Sequence, residues 1–90
     1  MHIASNWNNK EIVELLIEKG ANIDLKNSQG NTSLHVALNR NNKEIAKLLI
    51  EKEADLNLLN NLKNTPLHIA LKKKFIELAK LIINKGADIN

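Results

Sequence analysis

Apolar residues crowd into three clusters along the chain, and each cluster has the spacing of a helix with a wide apolar face. So wide a face is typical of a helix that packs against neighbours on both sides, as in a solenoid. In the middle cluster the pattern predicts a helix over residues 43–52. The clusters are Ile12, Val13, Leu15, Leu16 and Ile17; Ile45, Ala46, Leu48, Leu49 and Ile50; and Leu78, Ala79, Leu81, Ile82 and Ile83.

A shorter helical pattern precedes each of the last two clusters. Over residues 32–40, Leu34 and Leu38 fall on one face, and Thr32 is a favourable N-cap. In the following copy Pro66 stands where the helix begins, a position at which its missing N–H costs nothing. Each unit is therefore predicted to contain a short helix, a turn and a longer helix.

Turn-forming residues separate these helices. Asn41 suits the turn inside a unit because asparagine tolerates the left-handed conformation. Gly20 and Gly86 follow the long helices, where a left-handed residue ends a helix. The middle copy has Glu53 there, which predicts a backbone strain of about 1 kcal/mol. Polar segments without helical periodicity are predicted to form extended, hairpin-like fingers at residues 25–31 and 58–64.

The elements recur because the sequence repeats every 33 residues. Thr65-Pro66-Leu67-His68-Ile69-Ala70 follows Thr32-Ser33-Leu34-His35-Val36-Ala37 at that offset, and His2-Ile3-Ala4 precedes it by the same step. Residues 31–57 and 64–90 align without a gap and share 15 identities in 27 positions. A match this dense is a tandem repeat.

The repeated pattern resembles the ankyrin repeat. The resemblance rests on Gly-x-Thr-Pro-Leu-His-x-Ala, a turn, and then Glu-x-x-x-x-Leu-Leu/Ile-x-x-x-Gly-Ala-Asp-x-Asn, and it covers the whole chain. It implies an all-α fold, an ankyrin-repeat solenoid of stacked helix-turn-helix units with hairpin-like fingers. We expect one domain over residues 1–90, made of a partial repeat 1–24 and repeats 25–57 and 58–90.

Departures from the family pattern predict changes in local stability rather than in fold. Ser33 replaces the usual proline, and Glu53 and Lys63 stand where other copies have glycine. The remaining departures are Leu38, Leu71, Asn41 and Lys74. Neither end of the chain carries the polar face of a capping repeat. We therefore expect a segment of a longer array, or self-association through the uncapped ends.

Composition and charge count against several classes of function. The chain has 13 basic and 10 acidic residues and a net charge of +3, well short of the clustered basic surface of a nucleic-acid-binding domain. Its two aromatic residues, Trp7 and Phe75, provide no platform for stacking bases. There is no Cys for disulfide or thiol chemistry, and no apolar run approaches the roughly 20 residues of a membrane span. We expect a cytoplasmic protein, or one of a host-cell cytosol if the source is an intracellular parasite or symbiont.

Three histidines, His2, His35 and His68, are candidates for a metal or catalytic site. They occupy one position in successive units and should lie about 10 Å apart, too far to bind one zinc ion at about 2 Å. The resemblance implies a structural histidine whose ring bonds to backbone in the finger region. Phosphate-binding loops, nucleophile elbows and His-Glu-x-x-His pairs are absent. We expect no enzyme, cofactor, metal or small-molecule substrate.

Recognition of another protein is the function that the sequence favours. The resemblance implies that the partner binds to the concave face made by the finger tips and the first helix of each unit. Carried onto the matching positions, this face is expected to use Trp7, Lys26, Gln29, Asn31, Asn39, Arg40, Leu59, Leu62, Asn64, Lys72 and Lys73.

Some of these residues have a second interpretation. Trp7 belongs to the type most enriched in interface hot spots, but a truncated first unit would expose it as well. Leu59 and Leu62 fit either a contact patch or packing against a following finger. The lysines at 72–74, with Lys63, fit either an acidic partner or a solvated helix end. The alternative functions are a structural spacer in a longer array, or electrostatic binding of acidic partners, nucleic acid or anionic membrane through this lysine cluster.

Overall fold

The structure is a computed structural model, and it describes residues 10–87. These residues contain five α-helices and no strand: α1 (Lys10–Glu18), α2 (Ser33–Asn39), α3 (Lys43–Glu51), α4 (Pro66–Lys72) and α5 (Ile76–Asn84). Within a unit, α2 packs against α3 and α4 packs against α5. Between units, α1, α3 and α5 form one layer and α2 and α4 form a second. This arrangement confirms the predicted all-α solenoid of stacked helix-turn-helix units.

The short helices begin with a reciprocal pair of hydrogen bonds between a threonine and a histidine. The Thr32 hydroxyl accepts from the His35 N–H at 3.4 Å, and Nδ1 of His35 accepts from the Thr32 N–H at 3.2 Å. Thr65 and His68 make the same two bonds, at 3.3 and 3.0 Å. Because two N–H groups at the helix start are satisfied together, the Thr-x-x-His motif fixes where each short helix begins.

A residue in the left-handed conformation follows every helix in residues 10–87. After α3, the N–H of Glu53 donates to the carbonyl of Ile50 at 3.1 Å, and that of Ala54 to the carbonyl of Leu49 at 3.0 Å. This pair of bonds ends a helix in a Schellman motif. The five φ values are 88° at Gly20, 63° at Asn41, 71° at Glu53, 61° at Lys74 and 96° at Gly86. Glu53 therefore has the strained backbone that the sequence predicted.

The wide apolar face of the long helices is fully buried only in the middle unit. All five apolar residues of α3 are buried between α1 and α5: Ile45, Ala46, Leu48, Leu49 and Ile50. On α1, Ile12 and Leu15 are 45% and 53% exposed, and on α5 Ile83 is 45% exposed. The two-sided packing inferred from the sequence thus holds for α3, whereas part of the same face meets solvent on α1 and α5.

Two polar loops form the fingers, the first at residues 25–31 and the second at residues 58–64. A backbone bond closes each one, from the Asn27 N–H to the Asn31 carbonyl at 2.9 Å and from the Asn60 N–H to the Asn64 carbonyl at 3.1 Å. The side-chain oxygens of Asn27 and Asn60 accept further N–H groups of their own loops. Each finger is therefore a tight, internally bonded loop without paired strands.

Replacement of Ser33 by proline should stabilise the protein. Ser33 is fully buried, its hydroxyl has no hydrogen-bond partner in the described part of the chain, and it occupies the position of Pro66 one unit later. Thr32 has a ψ of 174°, which suits a following proline. Ser33→Pro should raise the free energy of unfolding by about 1 kcal/mol, because it removes an unsatisfied hydroxyl and stiffens the unfolded chain.

Urea denaturation followed by circular dichroism would measure this change. Pro66→Ser is the reverse substitution at the equivalent position and should lower the stability. A Ser33→Pro variant that unfolds at a lower urea concentration than the wild type would contradict the prediction.

Candidate functional site

The two fingers are bonded to each other. The backbone N–H of Asn61 donates to the carbonyl of Gln29 at 3.0 Å, and Nδ2 of Asn61 donates to the carbonyl of Ser28 at 3.2 Å. Nδ2 of Asn60 donates to Oδ1 of Asn31 at 2.8 Å. Since these bonds join one unit to the next, they fix the spacing of the fingers separately from the packing of the helices.

Gly30 allows the fingers to approach this closely. Its φ is 75°, and a Cβ at this position would lie 2.5 Å from Oδ1 and 2.8 Å from the backbone nitrogen of Asn61. No side chain fits in that space. Lys63 occupies the same position in the second finger, with a φ of 66° and an exposed side chain.

A groove of about 630 Å³ lies between the first finger and the end of α2. Five amide residues, one arginine and one valine line it: Asn27, Gln29, Asn31, Asn39, Asn42, Arg40 and Val36. An amide side chain carries both donors and an acceptor, so such a wall can bond the N–H and C=O groups of an extended chain. Arg40 is the one charged residue among the seven.

A second groove, of about 340 Å³, continues from the first toward the second finger. The two share Gln29, Asn31 and Asn39. The other residues that line the second are Asn60, Asn61 and Leu62. We call the two together the finger groove, which is defined by the residues lining either part.

The structure brings some of the predicted contact residues together and leaves others apart. Those that line the finger groove are Gln29, Asn31, Asn39, Arg40 and Leu62. Those outside it are Lys26, Leu59, Asn64, Lys72 and Lys73. Trp7 lies outside the described residues. The binding role of all of them stays a prediction.

Two predicted contact residues are bonded to a neighbouring unit. Nζ of Lys73 donates to the carbonyl of Asn39 at 2.8 Å and to Oδ1 of Asn41 at 2.9 Å. Nζ of Lys26 donates to the carbonyl of Leu59 at 2.9 Å. These lysines hold adjacent units together, so their ammonium groups are already engaged before any partner arrives.

Five residues of the finger groove are not among the eleven predicted contact residues: Asn27, Val36, Asn42, Asn60 and Asn61. The sequence does mark Asn27, because the equivalent position one unit later is also an asparagine, Asn60. It does not mark Val36 and Asn42, since their position in a groove wall depends on how the first finger folds over α2.

His35 joins its own unit to the following finger. The ring is fully buried, Nδ1 accepts from the Thr32 N–H, and Nε2 lies 2.9 Å from the carbonyl of Asn64. These partners indicate the neutral ring with its proton on Nε2. Burial lowers the pKa of His35 below its usual 6.5, and the nearby Lys26 charge acts in the same direction, whereas the hydrogen bonds to the Asn64 and Leu58 carbonyls oppose it.

His35 thus has the structural role that the resemblance implied. In residues 10–87 no three side chains of His, Cys, Asp or Glu are placed to hold one metal ion. His2 lies outside these residues, and His68 is exposed. The arrangement supports binding by hydrogen bonds and charge.

The lowered pKa of His35 predicts that acid weakens the fold. Above pH 6.5 the ring is neutral in both states, and below it the unfolded chain takes up the proton first. This contribution to the free energy of unfolding is therefore present above pH 6.5 and is lost as the pH falls through the lowered pKa, at up to about 1.4 kcal/mol per pH unit.

Urea denaturation of the wild type and His35→Gln at several pH values measures the loss, since glutamine does not titrate. Direct titration of the histidine ring signals by NMR uses the wild type alone and therefore does not depend on the variant folding. A midpoint for His35 at or above 6.5 would contradict the prediction.

Comparison with known proteins identifies the family of this chain. None of the helices in residues 10–87 has the length and apolar character that a membrane span requires. No curated protein matches the chain. A family model described as ankyrin repeats, in three copies, matches residues 1–90. Because this match covers the whole chain and the described residues form stacked helix-turn-helix units, the chain belongs to the ankyrin repeat family.

Proposed function

We propose that the chain is a non-catalytic module that binds a partner protein through the finger groove and the short helices beside it. Ankyrin repeats are generally protein–protein interaction modules and generally lack catalytic activity. The observation that carries the proposal is the run of amide side chains along the groove. These groups suit a polypeptide, whose backbone offers a donor and an acceptor at nearly every residue.

The groove combines fixed walls with unused hydrogen-bonding groups. The carbonyl of Gln29 and Oδ1 of Asn31 already accept bonds from the second finger. The side chains of Gln29, Asn39 and Arg40, however, make no hydrogen bond or ion pair within residues 10–87. A partner therefore meets free groups on a wall that loses little freedom when it binds, which lowers the entropic cost of association.

Removal of a free amide should weaken binding without disturbing the fold. The probe is a phage-displayed library of random peptides, selected on the complete chain, with affinities of the recovered peptides measured by fluorescence anisotropy. Gln29→Ala with Asn39→Ala should weaken binding about ten-fold, as expected for central interface residues. Lys47→Ala, on the exposed side of α3, is the matched control and should leave the affinity unchanged.

Two results of this selection would contradict the proposal. Recovered peptides that bind the double variant as tightly as the wild type would place the binding surface elsewhere. A selection that recovers no peptide above background would count against peptide recognition by this chain.

A structural role, either as a spacer or through self-association, is the second candidate. Leu71 and Ile83 are 51% and 45% exposed, whereas their counterparts Leu38 and Ile50 in the middle unit are buried. The third unit thus presents a face that another unit covers in the second. Sedimentation velocity tests the self-associating form: we expect assemblies that Leu71→Lys dissociates, and a monomer at every concentration would overturn it.

A further inference from the structure

The charged residues of the chain are divided between two kinds of segment. All ten acidic residues fall in residues 10–24, 43–55 and 76–88, the stretches that contain the long helices. The intervening residues 25–42 and 56–75, which hold the fingers and the short helices, contain six basic residues and no acidic one. A net charge of +3 therefore conceals a strong separation of charge.

The ion pairs follow the same division. Nζ of Lys80 lies 4.0 Å from Oε1 of Glu77 on α5, and Nζ of Lys10 lies 3.9 Å from Oε1 of Glu44 between α1 and α3. On the finger side, Arg40 has no carboxylate within reach in the described part of the chain. Both ion pairs therefore use carboxylates of the long helices, and neither involves a cation of the fingers or short helices.

Two other cations on the finger side are held by uncharged groups. Lys73 and Lys26 donate to backbone carbonyls of neighbouring units. Neither contact removes the positive charge. A carbonyl orients an ammonium group, but it leaves the full charge to act on whatever approaches the surface.

Arg40 is the one cation of this positive region that lines the finger groove. It follows α2 directly, where the last carbonyls of a helix carry a partial negative charge. Nζ of Lys73 lies 2.8 Å from one of those carbonyls, that of Asn39, and so offsets the negative end of α2 beside Arg40. Lys72 occupies the position of Asn39 one unit later and is exposed. An anion in the groove would therefore meet Arg40 with further cations next to it.

We infer that the finger groove binds a segment of the partner protein that is rich in Asp and Glu. A carboxylate of this segment pairs with the guanidinium of Arg40, whose planar fork matches a carboxylate in two parallel hydrogen bonds. The amides of Gln29 and Asn39 bond the backbone of the same segment. The inference rests on the proposed function and adds the chemistry of the partner to it.

An acidic polypeptide fits these observations better than the other polyanions. Protein surfaces that bind single-stranded nucleic acid combine cations with exposed aromatic rings. Phe75, the one aromatic side chain in residues 10–87, is half-buried, and Nζ of Lys43 lies 4.6 Å from its ring centre. An anionic bilayer is flat, whereas Arg40 lines a groove. A lipid phosphate can use only the donors of the amide walls, whereas a peptide backbone uses their donors and their acceptors.

Titration of the ¹⁵N-labelled complete chain with a short peptide of alternating Glu and Ser tests the inference. The backbone amide signals of Gln29, Asn39 and Arg40 should shift. The matched peptide of alternating Gln and Ser should bind about ten-fold more weakly, and the preference should decline as NaCl is raised from about 0.05 to about 0.5 M.

Two charge variants separate the groove from the net charge of the protein. Arg40→Gln and Lys47→Gln each remove one positive charge, but Arg40 lines the groove and Lys47 lies exposed on α3. Arg40→Gln should weaken binding of the Glu peptide about five-fold, and Lys47→Gln by less than about two-fold. Equal weakening by both would show that binding follows overall charge, and would overturn the inference.

The remaining outcomes distinguish this inference from the proposed function. If the Gln peptide shifts the groove signals and binds as tightly as the Glu peptide, the acidic partner is wrong and the groove remains the binding surface. If the Glu peptide shifts only signals of α1, α3 and α5, the groove is not the binding surface, and both the proposed function and this inference are wrong. Tighter binding of an oligothymidylate, or of vesicles containing phosphatidylserine, than of the Glu peptide would replace the acidic protein with that polyanion.

Discussion

The hydrogen bond from the buried His35 ring to the carbonyl of Asn64 is the contact on which the shape of this protein depends. One ring nitrogen fixes the start of α2, and the other fixes the end of the following finger. Asn64 immediately precedes Thr65, the N-cap of α4. The position of one short helix is therefore linked through a single side chain to the finger and the short helix of the next unit.

The middle unit shows what this linkage provides. Its long helix is covered on both sides, and all of that helix's apolar residues are buried, whereas part of the same face is exposed on α1 and α5. In a stack of this kind stability is close to a sum over units and the contacts between neighbours. The finger groove lies over the unit that has neighbours on both sides, so its walls belong to the best-supported part of the described chain.

Features that repeat could be read from the sequence, and features that arise between units could not. The helix start at Thr32 and the left-handed conformation of Glu53 each follow from a position that recurs every period. The structural role of His35 was implied by the resemblance to the ankyrin repeat. Lys73 was expected on the binding surface because its position faces that way in the family. Its side chain also bonds to the carbonyl of Asn39, 34 residues earlier, and the local sequence gives no sign of a contact at that distance. The sequence alone also does not predict that Val36 lines the groove, because this wall forms only when the first finger folds over α2.

Lys63 determines how the row of fingers can be extended. At the equivalent Gly30, the backbone nitrogen of the next finger comes within 2.8 Å of the place that a Cβ would occupy. Lys63 has that Cβ, so no finger can follow the second one at the pitch that the second keeps from the first. At this point any further unit must tilt relative to the second finger or lie farther from it, and either change interrupts the amide wall. The length over which the amide wall can run straight is thus limited by one residue at the tip of a loop, where glycine would have let the wall continue.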